Sequence, residues 1–257
     1  MVTAYLDASG DPADTDVVIV AGLVSTTEKW LAFSDQWQEC LDAFGVSSLH
    51  MRHLAHFKGE FSSWSNDEPR RRRFLSQLMS VIENHVEYTV ASAVLMKHYN
   101  AMDKKYCLSG FMRPYTFAAS TCVSSIIRWA KTTVYPASDV AYYFEKGDVD
   151  QADVARCWKA QFSDYGLSPI FLKKNDKHPG SDRSAPIRPF EAADLIAYEN
   201  LKGNIKLEGR QQGTVFLDEL RRPLQRLLNL PGAKEWLYSG TSEIEAVCSQ
   251  YGVAERR

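Results

Sequence analysis

The chain has 257 residues, 45% hydrophobic and 24% charged, which suffices to bury a sizeable core and is ordinary for a soluble globular protein. With 30 basic against 32 acidic residues the formal net charge is -2, so the average charge neither demands nor excludes a polyanionic partner. Five widely spaced cysteines without a CxxC pair argue against a disulfide framework or a zinc ribbon, and no run approaches the ~20 apolar residues of a membrane span. Without a basic leader and an apolar stretch behind it, the protein is expected to be cytoplasmic and away from membranes.

Residues 3–9 and 16–25 are Val-rich and apolar, separated by a Gly-Asp-Pro-Ala-Asp turn region, and read as an antiparallel hairpin. Thr26 or Thr27 then caps a helix whose Trp30, Phe33, Trp37, Leu41 and Phe44 form a core-facing stripe. A less regular stretch, 46–66, precedes a second helix from about Asp67 to His85. Glu87–Met96 is a third strand, and a long helix spans roughly 114–133, opened by Pro114 and closed before Pro136. Its Phe117, Ile126, Ile127 and Trp129 suit either internal packing or a homodimer contact. Asp139–Glu145 is a fourth strand, Gln151–Tyr165 a helix and Ser168–Lys173 a fifth strand. A helix begins near Pro189, and helices are expected to fill the rest. This order predicts an α/β fold with a mixed sheet, a hairpin first and strand-helix-strand crossovers later. One domain over 1–257 is expected, with a core of about 3–205 and a helical C-terminal extension of about 206–257.

Two acidic segments lie at opposite ends of this layout. In Tyr5-Leu6-Asp7-Ala8-Ser9-Gly10-Asp11 a buried strand delivers Asp7 to its end, and in Pro189-Phe190-Glu191-Ala192-Ala193-Asp194-Leu195-Ile196-Ala197-Tyr198 two acids three apart share a helix face. Glu145 ends the fourth strand, so if that strand lies parallel beside the first, Asp7 and Glu145 emerge at one edge. Apolar neighbours flank these acids, and carboxylates are almost never buried without a compensating partner. Four carboxylates converging from two strand ends and a helix suit hard cations. Two magnesium or manganese ions about 3.5–4 Å apart would clamp a scissile phosphate for hydrolysis.

Each acid has a plainer reading. Asp7 at a strand-to-turn junction suits an Asx-turn, Glu145 suits a lysine partner, and Asp11 suits a turn. Glu191 suits the dipole of a helix's first turn. Asp194 is hardest to explain away, since Ala192, Ala193, Leu195, Ile196 and Ala197 surround it.

These motifs have a family likeness. Tyr-Leu-Asp-x-Ser-Gly-Asp at the start, the Gly22-Leu23-Val24 end of the second strand, and Ala193-Asp194-Leu195-Ile196-Ala197-Tyr198 resemble the bacterial and phage family known as domain of unknown function 3800, over roughly residues 3–200. That family is grouped with the ribonuclease H-like superfamily. The resemblance implies a five-stranded sheet of order 3-2-1-4-5 with the first strand central, and Asp7, Glu145 and Asp194 as metal-binding acids. The Glu191/Asp194 spacing is similar to the paired helix acids of Holliday-junction resolvases in that superfamily. The chain departs from the pattern with Ala8 where Glu is usual and Phe190-Glu191 where Leu-Gln is typical, so Glu191 or Asp11 is the candidate to replace the missing Glu.

Three further features bear on substrate. His50, His53 and His56 recur every three residues, a poor fit to a tridentate zinc site, and His50 or His53 is a candidate general acid, as the resemblance also implies. Arg70–Arg73 opens a helix, which is either a solvated face or a phosphate contact. Residues 173–188 carry five Lys or Arg against two Asp and lead straight into the acidic helix, so Lys173, Lys174 and Arg183, with Ser9 beside Asp7, are candidate substrate contacts. No phosphate loop, GxGxxG, GxSxG or HExxH is present. The expectation is a metal-dependent nuclease with catalytic Asp7, Glu145, Asp194, Glu191 and His50. The rivals are a catalytically silent nucleic-acid- or protein-binding module and a small-molecule phosphohydrolase.

Overall fold

The structure is a computed structural model that describes residues 1–133, 135–136, 139–147, 150–176, 186–208, 225–226 and 233–255. Six strands form one mixed sheet in the order β5-β4-β1-β2-β3-β6: β1 Val2–Ser9, β2 Val17–Thr26, β3 Tyr88–Leu95, β4 Val140–Glu145, β5 Pro169–Leu172 and β6 Ala233–Ser239. β1, β2 and β3 run antiparallel to one another in turn, β4 and β5 continue the sheet in parallel from β1, and β6 adds in parallel to β3. The five-strand order 3-2-1-4-5 is therefore present, with a sixth strand beyond it. The fold is α/β, a mixed sheet flanked by helices.

Strand alternation divides the core in two. Tyr5, Ile19, Ala21, Leu23, Ala91, Ala93 and Tyr143 face helices α1 (Thr27–Phe44), α3 (Glu68–His85) and α8 (Arg188–Glu208). Ala4, Leu6, Val18, Val20, Val90, Val94, Tyr142 and Phe144 face α4 (Met96–Tyr106), α6 (Pro114–Lys131), α7 (Gln151–Gln161) and α9 (Thr241–Gln250). Burial on both faces is why β1 and β2 read as nearly unbroken apolar runs.

The helix starts follow local rules. Thr26 Oγ1 accepts from the Lys29 N–H at 3.3 Å to cap α1, and Gly45 ends it in the left-handed conformation. Asp67 caps α3 by accepting from the Arg70 N–H at 2.9 Å, and Pro69 stands in the first turn. Phe117, Ile126 and Ile127 of α6 are buried against the sheet, and Trp129 stacks on Tyr88 at 5.1 Å, so internal packing accounts for this helix. The stretch 46–66 resolves into the short helix α2 (Met51–Ala55) and a 3-10 segment, Gly59–Trp64, whose Phe61 and Trp64 are core residues.

The C-terminal extension departs from expectation. Ala233–Ser239 is a strand, although Ala, Lys, Glu and Leu favour helix, because β3 otherwise leaves an unpaired edge and the register from Tyr88↔Ala233 to Val94↔Ser239 closes it. Trp236 then packs into one core and Leu237 into the other. Helix α9 agrees with expectation, while residues 209–224 and 227–232 lie outside the described residues. All five cysteines are free. Among the described residues no helix is long and apolar enough to cross a membrane.

Gly22 marks the tightest point of the central sheet. A Cβ there would stand 3.1 Å from Leu6 Cγ and 3.4 Å from Val90 Cγ1, both on flanking strands that cannot give way separately. Gly22→Ala is expected to lower unfolding free energy by about 1–3 kcal/mol, the range for overpacking a core, read from the urea midpoint at unchanged slope.

Candidate functional site

The site forms where three elements end on one face of the sheet. Asp7 stands two residues before the last of the β1–β2 pairs, with Ala21 opposite, and one step past the last β1–β4 pair, Leu6↔Phe144. Glu145 stands one step past the same pair on β4, so the two acids leave parallel strands on the same face. That face is covered by α8, which carries Asp194.

The turn after β1 is built for this placement. Gly10 has φ +96°, and a Cβ there would come within 2.3 Å of the Val17 carbonyl oxygen, so only glycine lets the chain reverse this close to β2. Asp11 serves the same turn: its Oδ1 accepts from the Ala13 N–H at 2.9 Å and its carbonyl from the Thr15 N–H at 2.8 Å. Asp11 thus serves the turn, as its plainer reading had it. Ala8 donates its N–H to Asp7 Oδ1 at 2.8 Å, while its side chain packs with the opposite core, across the sheet from α8. Beneath Asp7, Tyr5 stacks on Tyr143 at 5.3 Å and meets Phe190 edge-on at 5.3 Å. Phe190 is therefore the floor on which the acidic turn of α8 sits.

Lys174, just past β5, enters the space between the acids. Its Nζ lies 3.1 Å from Glu145 Oε2 and 4.0 Å from Asp194 Oδ2. Burial pulls the ammonium's pKa down, but the charges of Asp7, Asp194 and Glu145 together leave it above the ordinary lysine value. Glu145 has thus found the lysine partner that its plainer reading offered.

Asp194 is held by the other side of the site. Its Oδ2 accepts from the Met51 N–H at 2.9 Å and lies 2.9 Å from His50 Nδ1. An ionised carboxylate only accepts, so Nδ1 carries the proton and Nε2 is the imidazole's acceptor face. The His50 side chain is 47% exposed, against 8% for Asp194. His53 meets His50 edge-on, ring centroids 4.7 Å apart.

Glu191 goes elsewhere. Its Oε2 accepts from the Trp37 indole N–H and from the Leu49 N–H, both at 2.9 Å, and its Oε1 accepts from Arg188, which also donates to Gln38. Burial pushes the Glu191 carboxyl up, and Arg188, the Leu49 N–H and Trp37 pull it partway back. Both oxygens have partners within the protein, and Glu191 stands as a buried anion that fastens α8 to α1 and to the 49–51 segment. Leu49 and Met51 are two apart in extended backbone, so their N–H groups point the same way, one to Glu191 and one to Asp194.

Of the candidate substrate contacts, Ser9 is half-buried at the end of β1 and Lys173 is exposed, its backbone N–H donating to Asp176 Oδ2 at 2.7 Å. The Ile187 N–H donates to the Lys174 carbonyl at 2.6 Å, pinning together the two ends of the basic segment. Arg183 lies outside the described residues. In the arginine run, Arg70 donates to the Phe44 carbonyl and lies 4.4 Å over the Trp64 ring, while Arg71 and Arg72 pair with Glu68 at 2.7 and 3.0 Å. Those three are engaged within the protein.

Sequence reasoning missed the roles of Arg188, Trp37 and the position of Lys174 among the acids. Arg188 stands three before Glu191 on one helix face, a spacing that signals an ion pair. The indole of Trp37, on a buried stripe, needed an acceptor that the local sequence does not supply.

No family model and no curated protein matches the chain. Among solved structures it is similar to the ribonuclease HII of Archaeoglobus fulgidus, determined in complex with PCNA, at 14% identity and TM-score 0.42 over 89% of this chain and 87% of that one. It is also similar to the ribonuclease H2 of Pyrococcus horikoshii OT3, at 14% identity and TM-score 0.39 over 98% of this chain and 89% of that one.

Proposed function

We propose that the protein is a divalent-metal-dependent nuclease, hydrolysing phosphodiester bonds of DNA or RNA at the cluster of Asp7, Glu145 and Asp194. The observation that carries this reading is that Glu145 and Asp194 lie 3.1 and 4.0 Å from the Lys174 ammonium, on which the charge of Asp7 also acts, so that acids from two strand ends and a helix share one cation. The family resemblance of the same three positions supports it.

Magnesium or manganese suits this donor set by its chemistry, since hard cations take oxygen ligands and all three acids are carboxylates. As the side chains stand, no group of three or more His, Cys, Asp or Glu among the described residues is close enough together to hold a metal ion. Loading the site therefore requires Lys174 to leave and the acids to close up. Asp7, Glu145 and Asp194 are then the residues that hold the ions. All hydrogen bonds to Asp194 from the described residues fall on Oδ2, which leaves Oδ1 for a ligand. When bound, the ions supply Lewis-acid polarisation of the phosphate and lower the pKa of an attacking water.

The chain's own residues do the rest. The Met51 N–H and His50 fix the orientation of Asp194, and Glu191, held by Trp37 and Arg188, fixes the segment that presents them. His50 Nε2 would first take a proton from solvent and then pass it to the leaving oxygen, returning to the neutral imidazole, with Asp194 stabilising the intervening imidazolium through Nδ1. Lys173, together with Arg183 outside the described residues, holds flanking phosphates.

The test is cleavage of labelled single- and double-stranded DNA and RNA with magnesium, manganese or EDTA. Metal-dependent cutting of at least one polymer is the expected result, and no cutting under any metal sinks the reading. His50→Ala is expected to lower kcat by about a hundredfold, the low end of general acid catalysis, with substrate affinity little changed.

One observation favours a second reading. Lys174 already neutralises part of the cluster, as it would in a catalytically silent nucleic-acid-binding module. Nucleic acid bound equally well in EDTA, without cleavage, is the result that would select it.

A further inference from the structure

Among the described residues, Lys174 is the cation that lies within 4.0 Å of both Glu145 and Asp194. Its side chain is 26% exposed, half-sunk between Glu145 and Asp194, with Asp7 the first of the three charges that raise its pKa. Three carboxylates gathered without a counter-ion would repel one another and resist ionisation. One ammonium offsets one of these charges and leaves two. An ammonium and a divalent ion compete for the same oxygens, and Nζ at 3.1 Å from Glu145 Oε2 already engages one of them.

The backbone allows the exchange. Lys174 sits two residues beyond β5, where no strand pairing holds it, and four methylene groups link its ammonium to a backbone fixed by the Ile187 N–H at 2.6 Å. A lysine stem of that length can swing its head out to water without moving the strand. Glu145 and Asp7 lie at strand ends and Asp194 is tied to Met51, so the carboxylates stay behind when the ammonium leaves.

We propose that Lys174 is an intramolecular competitor of the metal: it closes the carboxylate cluster in the metal-free protein and is expelled as magnesium or manganese enters. The proposal rests on the metal-dependent reading above. Metal affinity is then weakened by the fraction of molecules in which the ammonium is seated, so the site loads only at metal concentrations sufficient to displace it. The seated ammonium thereby offsets one of the three carboxylate charges while the metal is absent.

The test uses the full-length protein and Mn2+ alone, with calorimetry of wild type, Lys174→Met and Lys174→Arg. Lys174→Met, which removes the charge and keeps the apolar stem, is expected to bind Mn2+ about tenfold or more tightly than wild type, the factor for a competitor seated in nine molecules of ten. Lys174→Arg, which keeps a cation, is expected to stay near wild type. Wild type that binds Mn2+ while Lys174→Met binds it no more tightly overturns the proposal and leaves the metal reading standing. No Mn2+ binding by either protein overturns both. A second measurement needs no variant: acetylation of Lys174 in wild type, followed by mass spectrometry with Lys173 as the internal reference, is expected to rise when Mn2+ is added. Labelling of Lys174 that stays constant while calorimetry shows Mn2+ bound also overturns it.

Discussion

Asp194→Asn is expected to abolish metal-dependent cleavage, by roughly a thousandfold or more, while leaving the protein folded. A metal acting as a Lewis acid supplies several kcal/mol to the transition state, and each ~1.4 kcal/mol is a factor of ten. The amide keeps the carboxylate's size and can still accept from the Met51 N–H, so the 49–51 segment stays in place. What it loses is charge: toward the metal, toward Lys174 4.0 Å away, and toward the His50 imidazolium. Single-turnover cleavage with saturating Mn2+ measures the loss, and circular dichroism with a urea melt checks the fold. Cleavage near wild-type rates in this variant would remove Asp194 from the machinery and, with it, the cluster as the seat of activity.

The second large effect concerns stability. Arg188 and Glu191 are a fully buried ion pair, with side chains 6% and 2% exposed, so solvent screening discounts little. Arg188→Met leaves the Glu191 carboxylate buried with two neutral donors, and breaking such a pair costs about 3–5 kcal/mol. Replacing both partners by apolar residues is often neutral elsewhere, but not here. Glu191 also satisfies Trp37 Nε1 and the Leu49 N–H, and each donor left unpaired costs about 1–3 kcal/mol. The double variant Arg188→Met/Glu191→Leu is therefore expected to stay destabilised, and the two single effects to be non-additive. Urea unfolding of the four proteins in the cycle measures both. A double variant as stable as wild type would show that Glu191 serves Arg188 alone.

The contrast between these residues shows where sequence is informative. The five strands were legible because burial on two faces writes long apolar runs into β1, β2 and β3, and because a strand ending in Glu145 before a helix implies a parallel return, while their order came from the family resemblance. Asp7, Glu145 and Asp194 were legible as candidates because each is an acid in an apolar setting. Glu191 has the same setting and a different use, and the distinction lies in partners remote in sequence: Trp37 is 154 positions away and Leu49 is 142. Helix α4 was not legible because it starts at Met96 directly from β3, with no capping side chain to punctuate the change. The strand β6 was not legible because its residues favour helix, and only the open edge of β3 overrides them.

The separation of the site's parts along the chain has a consequence for biosynthesis. Asp7 leaves the ribosome with the first strand, Glu145 and Lys174 follow much later, and Asp194 arrives on α8. At about 5–20 residues per second, roughly 10–40 s pass between the first acid and the last. During that interval β1 and β2 can pair, but the acidic face has neither its covering helix nor its third carboxylate. A nascent chain stalled before α8 thus carries at most two of the three carboxylates, so the cluster is completed only after most of the chain has been synthesised.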